Sequence, residues 1–168
     1  MQIKTTTAAL LCISLSLFTF SATAGIEKND KTVSVFGAYT SDDYSDTLIV
    51  QLAGGFFLTD TLELQGIVLQ VSSEDDFGNT TSVGGYGANA NLYLPGKNPD
   101  IVPYVGAGAQ LVLTDFNGNT DSALGLNGQV GIKQFLNEDI AINYQAQYLT
   151  SSDYDAFILS VGISIFLQ

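Results

Sequence analysis

Hydrophobic and polar residues alternate along most of the chain after residue 30, a pattern typical of β-strands with two different faces. The alternation is clearest near the C-terminus, where every second residue from Phe157 to Leu167 is apolar and Ser160 and Ser164 lie on the opposite face. Segments of this kind, bounded by clusters of Asp, Asn, Ser, Gly or Pro, predict strands near 32–40, 47–58, 61–72, 81–94, 101–114, 122–135, 139–149 and 155–167. We therefore predict an all-β protein whose eight strands follow an up-and-down order.

The third predicted segment alternates poorly. Glu63 and Gln65 share one parity, whereas Gln70 has the other. Because one additional residue reverses the two faces of a strand, we expect a β-bulge or a strand end in this segment.

The polar faces indicate what surrounds the sheet. In a soluble sandwich or a lipocalin-like barrel the apolar face is the core, whereas in a transmembrane barrel it meets lipid and the polar face lines the lumen. The predicted polar faces contain Gly, Ser, Asn, Gln and Tyr, and charged residues form only 13% of the chain, about half of the roughly 25% usual in soluble domains. The apolar faces extend over about 9–11 residues, which suits a tilted membrane strand. The sequence therefore favours a closed, eight-stranded antiparallel transmembrane β-barrel.

Residues 1–24 have the pattern of a secretory signal peptide. A lysine near the start precedes an apolar stretch over 8–20, and 22–24 read Ala-Thr-Ala, a small-x-small cleavage pattern. The apolar stretch is shorter than the ~20 residues that a spanning helix needs. We expect cleavage after residue 24, which leaves 25–168 as one barrel domain and removes Cys12, the only cysteine.

The segments between the predicted strands form two sets. Three are compact (59–60, 95–100 and 137–138), and four are acidic (42–46, 73–80, 115–121 and 151–155). Since transmembrane barrels have short periplasmic turns and longer outer loops, we assign the acidic set to the outer surface. That set holds ten acidic residues and no lysine: Asp42, Asp43, Asp46, Glu74, Asp75, Asp76, Asp115, Asp121, Asp153 and Asp155. The four lysines that remain after removal of the signal peptide, Lys28, Lys31, Lys97 and Lys133, lie at or near the periplasmic end.

The acidic outer rim suggests a ligand. Carboxylate oxygens are hard ligands that suit Ca²⁺ and Mg²⁺, so we expect weak, collective binding of these cations. The segment 115–121 lacks the glycine and distal Glu of an EF-hand loop, and Glu74-Asp75-Asp76 is the one run of three acids. The alternative is a set of solvated loop tips whose charges are screened by salt.

Composition excludes most catalytic and nucleic-acid chemistry. The chain has no histidine, which removes histidine-dependent triads and metal sites, and only five basic residues. The glycines at 84, 85, 87, 106 and 108 are not followed by the Lys-Ser/Thr of a phosphate loop. We therefore assign no catalytic, cofactor-binding or metal residues, and we do not expect an enzyme.

Three of the predicted strands carry recognisable motifs. Residues 160–167, Ser-Val-Gly-Ile-Ser-Ile-Phe-Leu, fit the C-terminal signal read by the barrel assembly machinery, although Leu167 replaces the usual aromatic and Gln168 follows it. Residues 102–109, Val-Pro-Tyr-Val-Gly-Ala-Gly-Ala, are similar to the Pro-Tyr-x-Gly-x-Gly fifth strand of small OmpA/OmpX-type barrels, also described as porin-family or opacity-like proteins. Gly128 to Ile132, followed by Asn137-Glu138, resembles the sixth strand and inner turn of that family.

This resemblance implies an outer membrane protein of a Gram-negative cell envelope. It implies lipid and lipopolysaccharide as surroundings and the barrel assembly machinery as a partner, and we expect no periplasmic domain after the barrel. Three roles remain open: a structural or surface-interaction barrel, which we favour, a narrow solute or ion conduit, and a short-looped adhesin. Porin-type diffusion is disfavoured because eight strands enclose a lumen that side chains fill.

Parity and position predict the contents of the lumen. Tyr93, Tyr104, Gln110 and Gln129 are bulky candidates for obstructing it. Glu63 and Lys133 are both predicted to point inward near the periplasmic end, where a lone charge would be costly. We expect the two to meet, as ion pairs do inside OmpA-type barrels. The alternative is that each charge reaches periplasmic water separately.

Overall fold

The strands close on themselves into a barrel. The computed structural model describes residues 26–41, 45–75, 80–116, 119–152 and 155–167. The strands are β1 (Lys31–Ser41), β2 (Ser45–Phe57), β3 (Leu62–Asp75), β4 (Thr80–Tyr93), β5 (Ile101–Phe116), β6 (Asn119–Phe135), β7 (Ile140–Thr150) and β8 (Asp155–Leu167). Each pairs antiparallel with its neighbours in the sequence, and β8 pairs with β1. This confirms the predicted fold class, with every strand within a few residues of its predicted position.

Alternation places the side chains in two environments, as predicted. On β8, Val161 points outward and is 54% exposed, whereas Ser160 points inward and is 8% exposed. Most of the large side chains on the outer surface are apolar, including Val35, Leu52, Val68, Leu124, Leu126, Val130, Leu159, Ile163 and Ile165. An apolar exterior around a lumen that contains many polar side chains is the arrangement of a barrel in lipid. No helix in the described part of the chain is long and apolar enough to cross a membrane.

Strand β3 contains no bulge, so the predicted irregularity is wrong. Its register with β2 and β4 is unbroken from end to end. Glu63, Leu69 and Val71 all face the lumen, and Gln70 faces outward, where its Nε2 atom donates to the Val71 carbonyl oxygen (3.3 Å). The prediction failed because it assumed a polar lumen throughout, whereas the outer part of this lumen is apolar.

The strands extend further toward the outer surface than predicted. Strand β5 continues to Phe116 and β6 begins at Asn119, so this hairpin has a shorter loop than the sequence indicated. Six of the ten acidic residues assigned to outer loops therefore belong to strands: Asp46, Glu74, Asp75, Asp115, Asp121 and Asp155. Asp42, Asp43, Asp76 and Asp153 lie outside the described residues, as does the predicted signal peptide.

The outward face of β8 provides a test of the lipid contact. Val161 lies midway along the strand and Leu167 at its periplasmic end, on the same face. We expect Val161→Lys to lower the free energy of unfolding by about 2–4 kcal/mol and Leu167→Lys by about 0–1 kcal/mol, because the cost of a charge falls from the bilayer midplane to the interface. Denaturant titration of the protein in lipid vesicles measures both. If both variants lost the same free energy of unfolding, the two positions would not differ in their depth in the bilayer.

Candidate functional site in the barrel lumen

Inward-facing side chains fill the lumen in three layers. We call the layer at the end that the sequence assigns to the periplasm the periplasmic plug; it comprises Phe57, Tyr93, Val102, Tyr104, Phe135, Ala141 and Phe166. The layer at the other end, the outer cap, comprises Leu69, Val71, Val83, Val112, Leu149 and Ile158. Between them lies an amide belt of buried Asn and Gln side chains: Gln51, Gln65, Asn89, Asn91, Gln110, Asn127, Gln129, Asn143, Gln145 and Gln147.

Aromatic rings form the centre of the periplasmic plug. The Phe57 ring centroid lies 5.2 Å from that of Tyr93 and 6.2 Å from that of Phe166. Tyr93 and Tyr104 are 5.3 Å apart, and Phe135 and Phe166 are 5.0 Å apart. These separations are those of favourable aromatic pairs. The rings therefore form one continuous packed group across the periplasmic mouth.

The segment before β1 covers the plug. Ile26 packs against the aromatic group. The Asn29 amide donates to the Phe57 carbonyl oxygen (2.9 Å), and the Phe57 amide donates to the Asp30 carbonyl oxygen (2.9 Å). Asn29 adopts a φ of 79°, a left-handed conformation that Asn tolerates well and that turns the chain into β1. The alternation of polar and apolar residues did not predict this cover, because Ile26 to Asp30 precede the first strand.

Glu63 is buried at the plug and is held by three donors. Its Oε1 atom accepts a hydrogen bond from Thr32 Oγ1 (2.5 Å), and its Oε2 atom accepts from Tyr93 OH (2.7 Å) and Asn91 Nδ2 (3.1 Å). Hydrogen bonds to an ionised carboxylate are stronger than those between neutral groups. The carboxylate therefore links β1, β3 and β4 inside the lumen.

Lys133 is also buried, but its ammonium group is held differently. Its Nζ atom lies 4.9 Å from the Phe166 ring centroid and 5.2 Å from that of Tyr93, within the range of cation–π attraction. Among the described residues, Nζ has no hydrogen-bond partner. We expected the two charged groups to meet; both are buried near the plug, but they form no hydrogen bond with each other. Tyr93 instead contacts both groups: its hydroxyl donates to the Glu63 carboxylate, and its ring lies 5.2 Å from the Lys133 ammonium.

The part of the amide belt next to the periplasmic plug is a hydrogen-bonded network. Gln129 accepts from Asn89 Nδ2 (3.1 Å) and donates to Asn91 Oδ1 (2.6 Å). Tyr104 OH donates to Gln145 Oε1 (2.9 Å). All four side chains predicted to obstruct the lumen, Tyr93, Tyr104, Gln110 and Gln129, are buried inside it, as predicted. These contacts join strands across the barrel and occupy its cross-section.

The described side chains in the lumen pack and form hydrogen bonds with one another, and they do not form a metal site. In the described ranges, no group of three or more His, Cys, Asp or Glu residues could hold a metal ion. The predicted cation-binding rim depends on loop residues of which several lie outside those ranges. The site defined by this geometry is therefore the obstructed lumen itself.

A closed eight-stranded barrel with an apolar exterior defines the class of transmembrane β-barrels. The profile of the family described as "Outer membrane protein beta-barrel domain" matches residues 10–165. The chain belongs to this family, and membership implies a location in the outer membrane. No curated protein sequence matches the chain significantly.

Solved structures share the fold at low sequence identity. The N-terminal β-barrel domain of Pseudomonas aeruginosa OprF is 16% identical, with a TM-score of 0.65 over 83% of this chain and 98% of that domain. Neisserial surface protein A is 15% identical, with a TM-score of 0.63 over 81% and 95%. P. aeruginosa OprG is 12% identical, with a TM-score of 0.63 over 88% and 99%. At these identities the similarity establishes the fold alone.

Proposed function

We propose that this protein is a non-conducting integral barrel of the outer membrane with a structural or surface-interaction role. The observation that carries the proposal is the periplasmic plug, whose aromatic rings fill the lumen at its inner mouth. The outer cap supports it, because apolar side chains occupy the opposite end. The amide belt would suit a narrow conduit, but both of its ends meet apolar layers, so we place that role second.

The proposed role requires that the protein is exported and inserted into the outer membrane. The signal peptide over 1–24 would direct export, and the assembly machinery would recognise β8, whose pairing with β1 closes the barrel. Lipid and lipopolysaccharide would then cover the apolar exterior. The lumen is occupied by packed and hydrogen-bonded side chains, and we propose no catalysis.

The acidic outer rim is expected to bind divalent cations weakly. Glu74, Asp121 and Asp155 are exposed there, and like charges on one rim repel each other and the anionic lipopolysaccharide around them. Bridging Ca²⁺ would relieve both repulsions. Thermal stability in detergent should therefore rise more with millimolar Ca²⁺ than with NaCl of equal ionic strength. An identical rise with both salts would contradict specific binding and leave only screening.

Expression in a Gram-negative host tests the proposed role. The mature protein should be recovered in the outer membrane fraction, and cells that contain it should take up a small hydrophilic dye no faster than cells with an empty vector. A general porin at matched abundance is the positive control. Dye uptake that approaches that of the porin would contradict a non-conducting role, and recovery as a soluble periplasmic protein would contradict the membrane assignment.

A further inference from the structure

We propose that residues 26–30, which we call the N-terminal strap, are a clasp that holds β1 against β8 and keeps the barrel wall closed. The two strands meet at the seam, where the first strand of the chain pairs with the last. The proposal rests on the proposed non-conducting role, because an obstructed lumen stays obstructed only while the wall around it is closed.

The seam is the least secured junction in the described barrel wall. Every other pair of neighbouring strands is consecutive in the chain, whereas β1 and β8 are its first and last strands. The seam also has the shortest ladder, which ends at the pair of Gly37 with Val161, although β1 continues to Ser41 and β8 begins at Asp155. Local opening occurs where a structure is least stable, so we expect the wall to part first at the seam.

Backbone hydrogen bonds fix the N-terminal strap to β2, on one side of the seam. The Asn29 amide donates to the Phe57 carbonyl oxygen, and the Phe57 amide donates to the Asp30 carbonyl oxygen (both 2.9 Å). The Lys28 amide donates to Oδ1 of Asp60 (3.1 Å), in the turn between β2 and β3. The strap therefore continues the pairing of β1 with β2 beyond the first residue of β1.

A turn within the strap brings its first residue onto the plug. The Glu27 amide donates to Oδ2 of Asp30 (2.8 Å), and the Asp30 amide donates to the Glu27 carbonyl oxygen (3.2 Å). Asp30 is buried, which is unusual for a carboxylate unless it is held in this way. Ile26, at the start of the turn, packs against the periplasmic plug.

The plug connects the strap to the other side of the seam. It contains Phe166 of β8, whose ring centroid lies 5.0 Å from that of Phe135 on β6 and 6.2 Å from that of Phe57 on β2. Ile26 therefore packs against a group that includes a residue of β8, while the backbone of the strap is bonded to β2. Separation of β1 from β8 at the periplasmic end would break this packing.

A cover for the plug without a role at the seam is the alternative, and the two differ in where the barrel loosens. Loss of a cover would lower the stability of the whole barrel, so every ladder would open more often. Loss of a clasp would increase opening at the seam first, because the other strands are still joined by the chain. The location of the faster opening therefore separates the two roles.

Amide hydrogen exchange of the purified mature protein in lipid nanodiscs measures this opening. Ile26→Ala removes the packing on the plug, and Asp60→Ala removes the acceptor of the Lys28 amide. Each should speed exchange over 31–37 and 161–167 by about tenfold, the order expected when part of an apolar contact is lost, with far less change in the β4–β5 ladder. Ile49→Ala is the matched control, since Ile49 is also partly buried but packs against the outer cap. It should leave exchange at the seam unchanged.

A disulfide across the seam provides a rescue. Val35 and Ile163 are paired there, and residues 25–168 contain no cysteine. Directly paired residues are close enough for a disulfide, so the Val35→Cys/Ile163→Cys variant should form one. Added to either strap variant, this bond should restore slow exchange at the seam.

Three results would overturn the proposal: seam exchange that neither strap variant changes, an equal rise in every ladder, or fast seam exchange that the disulfide leaves unchanged. If Ile26→Ala does not fold, Asp60→Ala decides the question, because Asp60 is exposed and contributes one hydrogen bond to the strap. None of these results concerns the side chains that fill the lumen. Failure of the clasp is therefore distinguishable from failure of the non-conducting role, which dye uptake tests.

Discussion

Lys133→Met is expected to lower the free energy of unfolding by about 3–5 kcal/mol, the usual effect of removing one partner from a buried charge pair. Glu63 and Lys133 are both buried in the lumen, and Tyr93 contacts both of them. Without the ammonium group, the carboxylate of Glu63 would remain buried with only neutral hydrogen-bond donors around it. Urea unfolding of the barrel in lipid vesicles gives the free energy.

A double-mutant cycle separates the charge interaction from lost packing. Glu63→Gln keeps the size of the side chain and removes its charge, and the double variant with Lys133→Met contains neither charge. We expect the double variant to be more stable than Lys133→Met alone, with a coupling energy of about 0.5–3 kcal/mol. A coupling energy within error of zero would mean that the two charges do not interact, despite their shared contact with Tyr93.

Gly108→Ala is expected to destabilise the barrel by about 1–3 kcal/mol or more, because it overfills a packed interior. A Cβ atom at Gly108 would overlap the Ala88 carbonyl oxygen on β4 and the Asn89 side chain. The carbonyl belongs to the strand ladder between β4 and β5, so it cannot move aside without breaking hydrogen bonds.

Gly128→Ala is the matched control on the neighbouring strand. Gly128 faces outward, and a Cβ atom there would have no other atom within 4 Å. We expect little change in stability from this variant, measured by the same urea unfolding. Equal stability of the two alanine variants would contradict the close approach of β4 and β5 at Gly108.

The strands and their faces were predictable from the sequence because lipid imposes a strict alternation on the exterior. On β8, the outward residues Leu159, Val161 and Ile163 are apolar because they contact lipid, whereas inward residues such as Ser160 and Ser164 are small and polar. The assignment of each face followed from the shortage of charged residues. Strand ends were predicted less accurately at the outer surface, since polar residues such as Asp115 and Asp121 are compatible with both a loop and an exposed strand end.

The layered lumen was not predictable from alternation alone. Apolar residues such as Leu69 and Val71 were not expected to point inward, because a polar lumen was assumed. They point inward because they form part of the outer cap. One signal for the plug was available: Phe57, Tyr93 and Phe135 each end a strand on the periplasmic side with inward parity. The partners of the Lys133 ammonium depend on ring positions that strand register does not specify.

Planar-bilayer recording of the purified mature protein tests the central claim of a closed lumen most directly. The periplasmic plug and the outer cap both obstruct the path of an ion, and narrow eight-stranded barrels are filled by their side chains. We predict no stable openings of the size given by a general porin recorded under the same conditions. Stable, porin-sized openings of the unmodified protein would contradict the account.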